Sequence, residues 1–432
     1  MSKPLSLVAF VALLAGCSGS DSSSSSDGAS GSDGANGLAS LLSMNDEPTG
    51  TNCTYGGTRI TSGIDANSDG ILTQDEVDHT EYICSDSSHA TTFDGIVYTA
   101  DKNIDGMNEL YANVGGEEIK LAAPARASES IESIQVSPDK TRVAYLQGRQ
   151  LYSVDLLRRS APVKMHPELV TGGTVYSNYK WAPDSSKMLY RAIQDTAGVP
   201  ELYTVLADGS GNIKVNGTLV AGGGVLNGYS WAPDSSKIAY VADQDTDGVN
   251  EFYTIMADGS GNVKVNGTLV SGGNVFNGKW APDSSKIAYV ADQDTDGVDE
   301  LYTVMADGSG NVKVNGTLVS GGNVFNGKWA PDSSKIVYTA DQDTDGVDEL
   351  YTVMADGSGN VKVNGDLVVG GDVSRYSYNW ASDSSKIAYT ADQDTDEVDE
   401  LYTAMADGSN NTKVSGNMPS FGDVDNFIIV QP

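Results

Sequence analysis

Tryptophan recurs at positions 181, 231, 280, 329 and 380, at spacings of 50, 49, 49 and 51 residues, and each copy opens the same run of sequence. From Trp280 it reads Trp280-Ala281-Pro282-Asp283-Ser284-Ser285-Lys286-Ile287-Ala288-Tyr289, then Asp292 to Glu300, then Leu301-Tyr302-Thr303-Val304-Met305-Ala306-Asp307-Gly308, then Val312-Lys313-Val314. Self-similarity at such a period marks a repeat architecture before any single residue is interpreted. The pieces between turns are short, rich in Val, Ile, Tyr and Thr, and bounded by Gly, Asp, Asn or Pro, which is the pattern of strands joined by tight turns. Four strands per unit are expected: one ending at the Trp, then Lys286–Val290, Leu301–Ala306 and Val312–Val319. With 49 glycines and 13 prolines in 432 residues, long helices are not expected.

Four antiparallel strands in about 49 residues make one propeller blade, so the expected fold class is all-β, a β-propeller spanning residues 93–432. Two degenerate units precede the Trp-bearing ones. Val136-Ser137-Pro138-Asp139 through Tyr145 aligns with the Trp181 segment, and Ile96 to Asp101 with Glu109-Leu110-Tyr111 matches the second and third strands of a unit lacking its first. Gly422 to Val430 resembles the Gly322-Asn323-Val324-Phe325-Asn326 lead into a first strand. The expected count is therefore seven blades, with Asp423 to Pro432 supplying the missing strand and closing the ring, which would remove its free edges.

The motif Trp/Val-Ala/Ser-Pro/Ser-Asp followed by a hydrophobic-Ala-Tyr strand, Glu-Leu/Phe-Tyr and Ala-Asp-Gly-Ser resembles the propeller repeat of TolB and its relatives. Diglycines such as Gly272-Gly273 weakly echo kelch repeats, but the Pro-Asp turn favours the TolB type. The resemblance implies a ring used for protein binding in the periplasm or as the cap of a peptidase. No G-x-S-x-G nucleophile elbow accompanies the repeats. Some TolB-like propellers resemble polysaccharide lyases, which need histidines at the ring centre. His79, His89 and His166 do not recur in register, and no unique carboxylate pair stands out for glycoside hydrolysis. An enzyme is not expected.

The N-terminus has its own grammar. Met1 to Gly16 carries Lys3, the apolar run Leu5 to Leu14, and Ala15-Gly16 before Cys17, and it resembles a bacterial lipoprotein signal with its lipobox. That resemblance implies cleavage after residue 16, acylation of Cys17 and, with Ser18 next, an outer-membrane destination facing periplasm or cell surface. Residues 17–44, rich in Ser, Gly and Asp, read as a flexible tether. A small module is expected over 45–87. Its Cys53 and Cys84 enclose 30 residues in a secreted context and are expected to form a disulfide. Between them, Asp65-Ala66-Asn67-Ser68-Asp69-Gly70-Ile71-Leu72-Thr73-Gln74-Asp75-Glu76 fits the calcium-loop pattern at every defined position. Asp65, Asn67, Asp69 and Glu76 would offer side-chain oxygens and Ile71 its carbonyl. Thr73 and Glu76 form a capping box that predicts a helix start. The extended approach from Gly57 to Gly63 departs from a full EF-hand and resembles the single-loop calcium modules of bacterial surface proteins.

Acidic loops recur between the second and third strands of the blades. Asp243, Asp245, Asp247 and Glu251 are repeated as Asp292, Asp294, Asp296 and Glu300, and as Asp341, Asp343, Asp345 and Glu349, each with Gly at the sixth position. The first unit keeps Asp101, Asn103, Asp105 and Glu109; the last keeps Asp392, Asp394, Asp396 and Glu400 but has Glu397 in place of Gly. The third unit, with Ile193, Asp195 and Ala197, has lost the pattern. The spacing is similar to the calcium loops of integrin-type propellers, and carboxylates crowded in nine residues repel one another without a counterion. Calcium is therefore the expected cofactor in these loops. The alternative is a set of acidic hairpin tips. The net charge of −33 argues against a nucleic-acid partner, which needs a basic face, and leaves the membrane to the lipid anchor alone. The expected role is a monomeric, calcium-binding envelope lipoprotein whose ring is a scaffold for a protein or glycan partner. The alternatives are a structural or adhesive repeat protein without a discrete ligand and, behind it, a polysaccharide-active TolB-like propeller enzyme.

Overall fold

The computed structural model describes residues 39–47, 52–53, 57–67, 69–84, 93–124, 126–419 and 422–430. The expected signal segment, Cys17 and the tether up to residue 38 lie outside the described residues. The chain divides into two compact units, Met1–Phe93 and Asp94–Pro432.

In the first unit, β1 (Ser40–Glu47), β2 (Gly57–Ile64) and β3 (Val77–Cys84) form an antiparallel sheet in that order. The sheet begins at Ser40 rather than at the expected Asn45, because the register of Ser40–Glu47 against Ile64–Gly57 is continuous. The loop from Asp65 to Glu76 joins β2 to β3. The capping-box segment makes a single 3-10 turn, Gln74–Glu76, rather than a longer helix.

Among the described residues the second unit forms seven antiparallel sheets that follow one another along the chain. The first holds β4 (Ile96–Ala100), β5 (Glu109–Val114) and β6 (Glu117–Ala122). The fifth shows the recurring plan: Val275–Trp280, Lys286–Ala291, Glu300–Met305 and Val312–Lys313, paired in sequence order. The second and third strands are unbroken apolar runs rather than alternating ones, because each sheet is covered on both faces by its neighbours. Thus Ala281, Leu301 and Val314 of the fifth sheet share one core with Trp329, Ile336, Tyr338 and Tyr351 of the sixth. The fourth strand stops earlier than the expected Val319. After Val314 N donates to Leu301 O (2.8 Å), Asn315 Oδ1 accepts from Leu301 N (2.9 Å) and occupies the next position of the ladder. In the third sheet the first strand is split into Thr174–Val175 and Lys180–Trp181.

Three kinds of polar contact stitch neighbouring sheets together. The tryptophan Nε1 donates to a carbonyl of the preceding sheet, as from Trp329 to Lys279 O (3.0 Å) and from Trp231 to Lys180 O (3.2 Å). A threonine hydroxyl donates forward, as from Thr303 Oγ1 to Ala355 O (2.8 Å). In the Asp-Ser-Ser turn, Asp283 N donates to Ser333 Oγ (3.0 Å) of the sixth sheet. The tryptophans are therefore packing and latch residues between sheets. The tyrosines of Glu-Leu-Tyr stack within a sheet, Tyr302 on Tyr289 with ring centroids 5.3 Å apart.

The expected closing strand is not formed. Val424 N donates to Asp399 O (2.9 Å), the same entry contact that Val373 makes with Asp348 O (2.8 Å). Beyond it, residues 425–430 join no ladder among the described residues, Ile428 is 88% exposed, and the sheet of β4 to β6 keeps three strands. A hairpin holds every other first strand against its neighbour, whereas this segment could reach β4 only by closing the entire unit as one loop, at a larger entropic cost.

The latch geometry leads to a graded prediction. Trp329→Ala should cost about 3–5 kcal/mol in urea unfolding through lost packing. Trp280 Nε1 has no partner among the described residues while Trp329 Nε1 has one. Trp329→Phe should therefore cost about 1 kcal/mol more than Trp280→Phe, and equal losses would remove the latch from the account.

Candidate functional site: the acidic loops

In the first unit the loop folds around its own carboxylates. Asp65, 3% exposed, accepts from Asp69 N (3.2 Å) on Oδ1 and from Gly70 N (2.9 Å) on Oδ2. Asn67 Oδ1 accepts from Asp69 N (2.9 Å), and Asp69 Oδ1 from Ile71 N (2.8 Å). Glu76 reaches back: Oε1 accepts from Ala66 N (3.0 Å), and Oε2 from Thr73 N (3.0 Å) and Thr73 Oγ1 (2.7 Å). The Thr73 contacts hold the Glu76 carboxyl below its ordinary range. The expected ligand side chains thus turn inward on one loop and accept from its own N–H groups.

In the second unit the loops between second and third strands touch the fourth-to-first connections, so both lie on one face of each sheet's end. Asp292 Oδ1 accepts from Asn274 N, and its Oδ2 from Gly297 N (3.2 Å). Asp341 does the same with Asn323 N and Gly346 N (3.3 Å), and Asp243 with Gly224 N. In the first sheet Asp101 Oδ2 accepts from Gly106 N (3.2 Å). The fifth-position aspartate packs on a diglycine: a Cβ on Gly272 would lie 2.5 Å from Asp296 Oδ1, and Asp247, Asp345 and Asp396 crowd Gly222, Gly321 and Gly370 likewise. The seventh loop makes its turn despite lacking glycine, with Glu397 at φ 61° where Gly297 and Gly346 have 74° and 76°.

The third and ninth positions are committed elsewhere. Lys313 Nζ sits 2.8 Å from Glu300 Oε1 and 3.1 Å from Asp294 Oδ2, while Tyr302 OH donates to Glu300 Oε2 (2.6 Å). Lys264 holds Glu251 (2.8 Å) and Asp245 (3.0 Å); Lys362 holds Glu349 (2.5 Å) and Asp343 (3.5 Å); Lys413 holds Glu400 and Asp394 (3.1 Å). In the first sheet Lys120 Nζ is 2.7 Å from Glu109, which also accepts from Tyr111 OH (2.5 Å) and Asn103 Nδ2. Asp105 lies exposed at the tip of that loop. The third sheet decides what the glutamate is for. It lacks the acidic loop, yet Glu201 keeps the same contacts to Lys214 (2.8 Å) and Tyr203 OH (3.0 Å).

The blade loops therefore do not fit the expected calcium set. Glu109, Glu251, Glu300, Glu349 and Glu400 are buried partners of a lysine and a tyrosine, and the counterion demanded by the crowded carboxylates is the lysine of the fourth strand. Among the described residues no group of three or more His, Cys, Asp or Glu side chains is arranged to hold a metal ion. The lysine was visible in the recurring Val-Lys-Val but not recognised as a partner. Electrostatics follow the geometry. Glu300, then Asp294, raise the Lys313 ammonium above its ordinary range, and Lys120, then Tyr111, hold Glu109 down to about 2. Burial, then Asp292, pushes Asp299 up to about 6.

Two outcomes follow. Lys313→Met leaves Glu300 buried and unpaired and should cost about 2 kcal/mol in urea unfolding, less than a fully buried pair because Lys313 is partly solvent-exposed. Adding Glu300→Gln should recover most of that loss, and no recovery would contradict the pairing. Glu109, with its lowered folded-state pKa, contributes stability that is fully present above about pH 4.5 and lost as pH falls towards 2. Glu109→Gln should flatten the acid limb of the pH–stability curve.

Comparison with known proteins places this geometry. Residues 39–84 match a domain of unknown function, DUF7151. No curated protein matches the chain. Among solved structures, dipeptidyl peptidase 4 of Porphyromonas gingivalis is similar at 14% identity over 76% of this chain and 52% of its own, with a TM-score of 0.53. The chain spans about half the length of that peptidase structure. TolB from Acinetobacter baumannii matches at 14% identity over 74% of this chain and 78% of its own (TM-score 0.32), and the oligogalacturonate lyase of Vibrio parahaemolyticus at 14% over 85% and 98% (TM-score 0.42). At such identities the likeness concerns fold alone. The family model of the TolB β-propeller domain matches residues 122–376, more than half of the chain, and with its repeated four-stranded sheets this protein belongs to that family.

Proposed function

We propose that this protein is a non-enzymatic lipoprotein of the bacterial cell envelope, anchored in the outer membrane through acylated Cys17, whose propeller is a binding scaffold for a protein or glycan partner. The observation that carries the scaffold reading is the shared face. Each acidic loop is hydrogen-bonded to the Gly-Gly-Asn connection that leads into its own sheet, as Asp292 is to Asn274 N, and that asparagine in turn accepts from the loop of the preceding sheet, as Asn274 Oδ1 does from Asn250 N, which makes a continuous ordered surface from separate repeats.

The reading includes seven blades around one axis, with the first and last sheets covering each other. Ile96 is 67% exposed where the equivalent Ile287 and Ile336 are wholly buried, and Val414 is 54% exposed where Val314 is 1%. It includes a Cys53–Cys84 bridge, supported by the burial of Cys53 and by the position of Cys84 at the end of β3, opposite Gly57. It also keeps one calcium ion, in the Asp65–Glu76 loop. Binding there requires Glu76 to exchange its N–H and Thr73 contacts for the cation, with Asp65 and Asp69 as partners. The non-catalytic reading is supported by His166, the sole histidine after residue 93. Its ring is buried near Tyr190, Nδ1 contacts Pro167 O (2.7 Å), and burial lowers its pKa.

Three measurements test these parts. Calcium at 100 times its Kd should raise the stability of the first unit by about 2.7 kcal/mol over chelator, and Asp65→Ala should abolish the shift. Cys17→Ala should move the protein from the membrane to the soluble fraction. A photo-crosslinker at position 294, on the loop face, should give partner adducts in intact cells while one at position 307, in the third-to-fourth turn, should not; equal yields would overturn the scaffold reading.

A further inference from the structure

The seventh sheet departs from its near-identical neighbours at a few positions, and those departures converge on one cavity. The fifth and sixth sheets open with Gly-Gly-Asn-Val-Phe-Asn-Gly-Lys-Trp, whereas the seventh opens with Gly370-Gly371-Asp372-Val373-Ser374-Arg375. Asp372 replaces Asn274 and Asn323, the C-terminal segment repeats the change with Asp423, and Glu397 replaces the loop glycine. All three line a cavity of about 440 Å³ together with Asp348, Asp392 and Asp399.

The carboxylates of Asp372, Asp423 and Glu397 are not needed for the local fold. Asn274 Oδ1 accepts from Asn250 N (3.0 Å) and Asn323 Oδ1 from Asp299 N (2.9 Å). Asp372 Oδ1 and Asp423 Oδ1 do the same work for Asp348 N (2.7 Å) and Asp399 N (3.0 Å). The amide oxygen of asparagine suffices, so the aspartates add only charge. At residue 397 a glycine would make the turn without strain, yet a glutamate is held at φ 61°. Asp348 supplies a separate sign of an unmet partner. The residue is 6% exposed, its Oδ2 pairs with Arg375 Nε, and its Oδ1 has no hydrogen-bond partner among the described residues. Arg375 is the sole cation of the lining, and its guanidinium lies over the Phe325 ring, 3.7 Å from the centroid. Burial pushes the carboxyls of Asp348, Asp372 and Asp399 up, a cost that an incoming positive charge relieves.

We propose that this cavity is a binding site for an organic cation, an ammonium or guanidinium group carried by a free polyamine or by a basic side chain of a protein partner. Carboxylates spread around a cavity, with no three arranged for a metal, suit a group with three to five divergent N–H donors better than a compact hard ion. The proposal rests on the scaffold reading and names the chemistry of its ligand. Its failure would leave that reading standing, because crosslinking at position 294 requires no cationic ligand.

The test is calorimetric titration of the full chain with spermidine and, separately, with tetralysine, at about 0.15 M salt, where a Debye length of about 8 Å suppresses long-range attraction to the acidic surface. The double variant Asp372→Asn/Glu397→Gly restores residues that the fifth and sixth sheets already carry, so it should melt at or above the parent temperature. It should weaken saturable one-site binding at least tenfold, while Asp258→Asn/Asp307→Asn, which removes two charges from exposed turns, should leave Kd within about twofold. Loss of spermidine binding in the first pair assigns the site to free polyamines; loss of tetralysine binding alone assigns it to a basic protein segment. No saturable binding of either probe, or equal weakening by both double variants, overturns the proposal.

Discussion

Every sheet of the second unit has two apolar faces, and that constraint organises the rest. A strand such as Lys286–Ala291, buried along almost its whole length, cannot be stable in a sheet open to water on one side. Each repeat is therefore completed only by its neighbours, which is why identical motifs can be added in series and why the first and last sheets leave exposed residues whose equivalents are buried elsewhere. The stitching contacts follow from the same arrangement. Trp Nε1, Thr Oγ1 and Ser Oγ each satisfy a group in an adjacent sheet, so the hydrogen bonds fix the packing of faces that apolar contact alone would let slide.

Burying both faces leaves the charges to the strand ends and loops, where some of them are paired. In every sheet but the second, the glutamate that starts the third strand is buried and is offset by a lysine of the adjacent strand and by the tyrosine two residues on. The same lysine reaches the third-position aspartate, so one ammonium serves two carboxylates in the fourth to seventh sheets. One lysine per loop offsets two of its four carboxylates, so most of the negative net charge stays on the loops and turns, and the seventh sheet adds to it where it has exchanged neutral residues for acidic ones.

Much of this was legible in the sequence. Trp and Tyr spacing placed the first three strands of a blade nearly to the residue. What escaped was the information that only pairing register supplies. Lys313 follows Glu300 at a distance in sequence, and the two meet because Lys313 pairs with Tyr302, two residues after the glutamate, on one side of the sheet. A motif that matches a metal loop by spacing was, for its ninth residue, half of an ion pair. Glu397 shows the converse: the turn forms without its glycine because the backbone contacts of Asp392 hold it, including Glu397 N to Asp392 Oδ2 (3.2 Å). The C-terminal segment matched a first strand in sequence, but entering the right place is not pairing, and no hairpin ties it to β4.

The central proposal is that lysines, rather than metal ions, offset the third- and ninth-position carboxylates of the repeat loops, and that calcium is confined to the Asp65–Glu76 loop. Equilibrium dialysis of the full chain against calcium, with metal counted by elemental analysis, tests it most directly. The account predicts a single calcium per chain, lost on Asp65→Ala and unaffected by Asp292→Asn. A calcium in each acidic loop, falling by one with Asp292→Asn, would contradict it.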